Sequence, residues 1–146
     1  MPTPSSFREF DPAALSQIER YKLLVGGVVP RPIAWVSTRS IDGADNLAPF
    51  SFFCGVGSDP MTMLFCPANN PDGSEKDSLR NAKSISEGGT GEFVVNVVPH
   101  RLAQAMNQTS ANLPFGTSEF EACGVASAPC RVVSARRVLE SPVAYE

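Results

Sequence analysis

Three short stretches of this 146-residue chain carry side chains able to bind a ligand. In "PRPIAWVST", Arg31 stands between Pro30 and Pro32. Proline fixes φ and removes a ladder donor, so the pair marks an edge, a bulge or a strand entry and holds the arginine on a stiff segment. A pre-positioned guanidinium suits a planar anion such as phosphate; the competing reading is a surface arginine beside a turn. In "NLAPFSFF", Pro49 interrupts an extended run and is expected to free a carbonyl and a neighbouring N–H, while Asn46 and Ser51 add side-chain donors and acceptors. Such groups can address the edge of a polar ring. Phe50, Phe52 and Phe53 would pack the same edge strand into a core, and both roles fit because alternate residues face opposite sides. In "SEKDS", Ser74, Lys76, Asp77 and Ser78 stand where a helix is predicted to begin. Helix starts favour anions and Lys76 adds a full charge, with plain capping as the alternative. Together these groups suit a phosphorylated, aromatic ligand.

Familiar catalytic patterns are missing. The chain has no G-x-S-x-G, P-loop, H-E-x-x-H or G-x-G-x-x-G, and "GGVVPR" and "GGTG" lack a P-loop's lysine and hydroxyl. A Ser-His-Asp triad would need His100, the one histidine, which follows Pro99 and reads as a solvated helix end. Cys54, Cys66, Cys123 and Cys130 form no C-x-x-C, so a zinc site is poorly supplied and reduced, buried thiols are expected. A net charge of −3 gives no basic excess for nucleic acid. "MPTPSSFREFDP" lacks the basic start and apolar core of a signal peptide, and no apolar run approaches the roughly 20 residues that span a bilayer. A cytoplasmic protein with no membrane partner is expected.

The elements that must position these residues follow from periodicity. Asp11-Pro12 predicts a helix start, Leu15, Ile18, Tyr21 and Val25 recur at near-helical spacing, and Gly26-Gly27 ends the run; such a helix would lie across a sheet or barrel. From Val28 the period becomes two, with Ile33, Trp35 and Ser37 on one face and Ala34, Val36 and Thr38 on the other. Asp42-Gly43 turns the chain into a second strand over 46–53, and "MTMLFC" is a third. After the polar loop "PANNPDGSEK" comes a short helix with Leu79, Ala82 and Ile85 on one face, stopped by Gly88-Gly89. A strand over 91–98, a helix from Pro99 carrying Leu102, Ala105 and Met106, the loop "LPFGTSEFEACG" and one or two strands in "CRVVSARRVLESPVAYE" complete the chain. Short strands with hairpin turns and few helices predict one mainly β domain, an antiparallel barrel or sandwich with helical decorations.

"YKLLVGGVVPRPIAWVST", "DGADNLAPFSFF", "KDS", "GEFVVNVV" and "ESPVAYE" occur in series, and together they resemble the flavin reductase-like family with the FMN-binding split barrel. The resemblance covers 21–146, leaving 1–20 as an N-terminal extension and the start of the first helix. It implies a six-stranded antiparallel Greek-key split barrel with flanking short helices, a homodimer and one FMN per subunit. Carried over by motif, Ser37 and Thr38 lie beside the flavin and ribityl chain. Asn46, Leu47, Ala48, Pro49, Phe50 and Ser51 run along the ring. Arg31, Lys76 and Ser78, with Asp77 inside the same motif, fall at the phosphate. Trp35 covers the flavin or fills the barrel wall. Lys76-Asp77-Ser78 replaces the family's common K-D-T and keeps the hydroxyl, whereas Cys54 stands where members commonly have Asn. Members continue with further strand after "ESPV-x-E", so a chain ending at Glu146 is expected to be a short member or a truncated piece. The implied activity is an NAD(P)H-dependent flavin reductase that passes hydride from nicotinamide to flavin and supplies reduced flavin to a monooxygenase. The rivals are a flavoredoxin-like electron carrier serving protein partners and a non-catalytic flavin-binding module.

Overall fold

The computed structural model describes residues 7–146, which fall into two units, one ending at Arg31 and one spanning Pro32–Glu146. In the first, Asp11 caps only a single 3-10 turn, Pro12–Ala14, accepting the Ala13 amide at 2.9 Å. The helix proper, α1 (Gln17–Gly27), starts later than the sequence predicts because Ser16 and Glu19 form a reciprocal capping box. Gly26 and Gly27 do not stop it. They complete its last turn, and the Val28 amide closes on Leu24 O at 3.0 Å.

In chain order the second unit holds β1 (Ala34–Arg39), β2 (Asp45–Phe50), β3 (Phe53–Ser58), β4 (Met61–Phe65), α2 (Asp77–Ala82), β5 (Val94–Asn96), α3 (Ala103–Gln108), α4 (Glu119–Ala122), β6 (Ser127–Ala128), β7 (Arg137–Val138) and β8 (Ala144–Tyr145). The β1–β2 hairpin is antiparallel from Arg39↔Asp45 to Ala34↔Phe50. Its loop closes through Ser40 N to Ala44 O at 2.9 Å, and Gly43 supplies a φ of +91° that a side chain would resist. At the mouth, Arg39 grips Asp45 in a two-pronged pair at 2.8 and 2.9 Å.

β1 is central, and the two-residue period sorts its side chains onto two cores. Trp35 packs with Leu47, Phe120, Val125 and Val138 on one face; Ala34 and Val36 pack with Phe50 and Val95 on the other. Hydrophobic burial on both faces explains the apolar run Ala34-Trp35-Val36 that opens the strand.

Three expectations change. The strand foreseen over 46–53 breaks at Ser51-Phe52, and the chain leaves the sheet to form the β3–β4 ribbon, whose register shifts between Gly55 and Gly57. The ladders are all antiparallel, but among the described residues they form one open sheet, ordered β2-β1-β5-β8, and two ribbons, β3-β4 and β6-β7. They do not close into six strands: β5 to β8 are only two or three residues long, too short to carry a continuous ladder round a barrel. α2 ends at Ala82 and buries Ser78 and Asn81, while Ile85 is 76% exposed on a separate turn. This helix is held by hydrogen bonds on its polar face, so its apolar spacing misleads. Behind it, the Thr90 and Gly91 amides cap the Asn81 and Lys83 carbonyls at 2.8 and 2.7 Å, and buried Gly89 passes between them.

Candidate functional site

β2 is the outer strand of the four-stranded sheet, and its free side borders an open cleft of ≈ 440 Å³. That volume lies in the range of small-molecule sites. Asn46, Ala48, Pro49 and Phe50 form one wall, with Lys76, Asp77 and Ser78 from the start of α2. The loops 70–72 and 109–113 and the side chain of Glu119 supply the rest.

Side-chain hydrogen bonds lock α2 to the hairpin. Asn46 Nδ2 donates to Ser78 Oγ at 2.9 Å and Thr38 Oγ1 at 3.2 Å; Asn81 Nδ2 donates to Thr38 Oγ1 at 3.0 Å. All four residues are buried, so each bond removes a polar group that would otherwise be costly to bury. The network fixes Lys76 and Asp77 at the rim.

Pro49 occupies a position the ladder tolerates. The Leu47 amide points away from β1 and donates to Glu119 Oε2 at 2.9 Å. Antiparallel alternation turns residue 49 the same way, so the donor that proline lacks would have faced outward and no β1–β2 bond is lost. Pro49 therefore frees no neighbouring amide, contrary to expectation; the one outward amide seen nearby is already taken.

Seven expected site residues line the cleft: Asn46, Ala48, Pro49, Phe50, Lys76, Asp77 and Ser78. Trp35, Ser37, Thr38 and Leu47 are fully buried behind it. Trp35 fills the core, and its Nε1 donates to Thr109 Oγ1 at 2.9 Å, bracing the loop on the far side of the cleft. Ser37 Oγ accepts from Asn96 Nδ2 at 3.1 Å. Ser51 follows β2 and does not line the cleft. Arg31 closes the first unit, its Nη1 donating to Val25 O at 2.8 Å and Val28 O at 3.4 Å. Cys54 and Cys66 are exposed rather than buried, and Cys123 and Cys130 are half-buried; all four are free.

Glu119 and Thr109 went unread in the sequence. Ser118 before an acidic first turn and Gly124 after it, at φ +64°, are the start and stop signs of α4. They were hidden inside a stretch that reads as loop.

Three carboxylates line the cleft with Lys76: Asp72, Asp77 and Glu119. Hydrogen bonds from Ser74 hold Asp72 below the usual carboxylate range. Burial pushes Asp77 up, partly offset by Arg80. Burial also pushes Glu119 up, with Asp77 adding to the rise and the Leu47 amide opposing it. A carboxyl raised in the fold stabilises it below the unfolded pKa and loses that contribution as pH rises through the folded value. Glu119→Gln is therefore expected to gain stability relative to the parent chain from acid to neutral pH. Thermal unfolding at a series of pH values checks this; a constant difference between the two proteins would exclude a Glu119 titration.

The chain matches the family model described as flavin reductase like domain over residues 26–146. It is 43% identical over 145 residues to an uncharacterized protein of Deinococcus radiodurans, covering 97% of this chain and 62% of that one. Nitrilotriacetate monooxygenase component B from Bacillus cereus superposes with a TM-score of 0.86 at 32% identity, over 95% of this chain and 66% of that one. Pseudomonas fluorescens 2-nitrobenzoate 2-nitroreductase NbaA superposes with a TM-score of 0.77 at 30% identity, over 94% and 63%. The chain thus spans a little under two thirds of each of these proteins.

Proposed function

We propose that this chain, which belongs to the flavin reductase-like family, holds FMN in the cleft beside β2 and serves as an NAD(P)H-dependent flavin reductase. The observation that carries the reading is the cleft itself: a flat strand edge with small residues, Ala48 and Pro49, faces a lysine fixed at the start of α2. Such a slot suits a planar ring on one side and a phosphate on the other. FMN, when bound, supplies the hydride-accepting ring. The chain's own residues bind and orient: β2 offers its edge, Lys76 holds the phosphate, and the Asn46–Ser78–Thr38–Asn81 network keeps the two apart at a set distance. Likeness to a component of a monooxygenase supports a role in supplying reduced flavin to such a partner. A homodimer and cytoplasmic residence belong to the same proposal.

Purified protein is expected to show the yellow flavin spectrum and to bleach on a catalytic timescale when NADH or NADPH is added without oxygen. Bleaching only by dithionite or a protein donor would favour an electron carrier. A colourless chain that takes up no added FMN would overturn both. Lys76→Ala is expected to weaken FMN binding by about 1–3 kcal/mol, the worth of a charge-assisted hydrogen bond to phosphate. Fluorescence titration measures it, and the same titration of Arg31→Ala tests the sequence expectation for that residue. Unchanged affinity in Lys76→Ala would remove the phosphate from this end of the cleft.

A further inference from the structure

We propose that Glu119 is a positioning residue that makes the cleft-facing edge of β2 an acceptor edge, selecting a ring that turns an N–H donor toward the strand. The inference rests on the cleft being the flavin site and names which chemistry of the ring the strand reads.

Strand edges ordinarily present amides and carbonyls in alternation. Here the outward amide of Leu47 is consumed by Glu119 Oε2 at 2.9 Å, and the next outward position, Pro49, has no amide. Leu47 is fully buried beneath Glu119, whereas Pro49 lines the cleft, and the Pro49 carbonyl shares that outward direction, so the part of the edge that meets the cleft keeps an acceptor and offers no donor. Glu119 is only 5% exposed and is carried by α4, whose Phe120 is anchored in the Trp35 core. The carboxylate is thus aimed from a fixed support, and it lines the cleft beside the strand that it holds.

Oxidised flavin carries one ring N–H, at N3, and methylation there removes it. A site built to accept a hydrogen bond rejects the analogue that lacks the donor. The parent chain is expected to bind 3-methyl-FMN at least about tenfold more weakly than FMN, in titrations followed by absorbance and fluorescence. Glu119→Ala releases the Leu47 amide and is expected to lower FMN affinity about tenfold and to narrow the gap between the two flavins. Glu119→Gln keeps an acceptor for that amide and is expected to restore both the affinity and the gap. Amide hydrogen exchange gives a readout without flavin: Leu47 protection should fall selectively in Glu119→Ala and persist in Glu119→Gln. Equal affinity of the parent for FMN and 3-methyl-FMN overturns the acceptor edge while leaving the flavin site standing. A parent chain that binds neither overturns the site and the acceptor edge together. Unchanged Leu47 exchange in a folded Glu119→Ala overturns the role of Glu119.

Discussion

Asn96→Ala is expected to destabilise the chain by about 3–5 kcal/mol, at the upper end of single-residue effects. Asn96 is fully buried and joins three elements through one amide. Its Nδ2 donates to Trp35 O at 3.0 Å and Ser37 Oγ at 3.1 Å, and its Oδ1 accepts the Val138 amide at 2.8 Å. β1, β5 and β7 therefore meet on this side chain, although β6–β7 is a ribbon separate from the main sheet. Truncation strands a buried amide and a buried carbonyl, each costing about 1–3 kcal/mol, and adds a cavity. In a domain of this size each kcal/mol lowers the melting temperature by roughly 4 °C, so calorimetry should register a fall of more than 10 °C. Asn96→Asp separates the roles. It keeps the acceptor for Val138 but replaces two donors by a buried charge, and is expected to fail as badly near neutral pH. A loss below about 1 kcal/mol in Asn96→Ala would mean that water replaces the amide and that the ribbon is held by other contacts.

Much of the site was readable from local rules. The hairpin from Ala34 to Phe50 follows from a two-residue period and a Gly turn, and Asn46, Ala48, Pro49, Lys76, Asp77 and Ser78 do converge on one cleft. What was hidden is long-range polar satisfaction. The family resemblance alone puts Ser37 and Thr38 beside the flavin. In the fold Ser37 accepts from Asn96 and Thr38 from Asn81, 59 and 43 residues away, and periodicity carries no trace of those two bonds. Trp35 shows the same limit. Its burial follows from its place in the strand, but its bond to Thr109, 74 residues on, does not. Glu119 escaped because a four-residue helix offers too short a window for any period to emerge. The family resemblance points to the β2 segment and to Lys76; the fold adds the hydrogen bonds that tie β2 to the helix Lys76 precedes.

Gly89→Ala is expected to be the most damaging small substitution in the chain. A Cβ built at Gly89 would lie 2.2 Å from Lys83 O and 2.8 Å from both Arg80 O and Asn81 O. Those three carbonyls end α2, so they belong to rigid backbone and no side-chain rotation can relieve the clash. Neighbouring Gly88 answers to a different constraint: at φ +88° it meets nothing within 4 Å, and its glycine is demanded by backbone conformation alone. Gly88→Ala should therefore cost only about 1 kcal/mol, the usual penalty of a left-handed residue. Gly89→Ala must push the 89–91 segment off the helix end, breaking the Thr90 and Gly91 caps, for a loss of about 3 kcal/mol or more. The consequence reaches the cleft, because α2 carries Lys76 at one end and Asn81 in the buried network. Melting temperature and FMN affinity should fall together in Gly89→Ala, whereas Gly88→Ala should lower the melting temperature by only about 4 °C and leave FMN affinity at the parental value. If Gly89→Ala melted with the parent, the segment would have room to move, and the position of α2 would owe nothing to the carbonyls packed behind it.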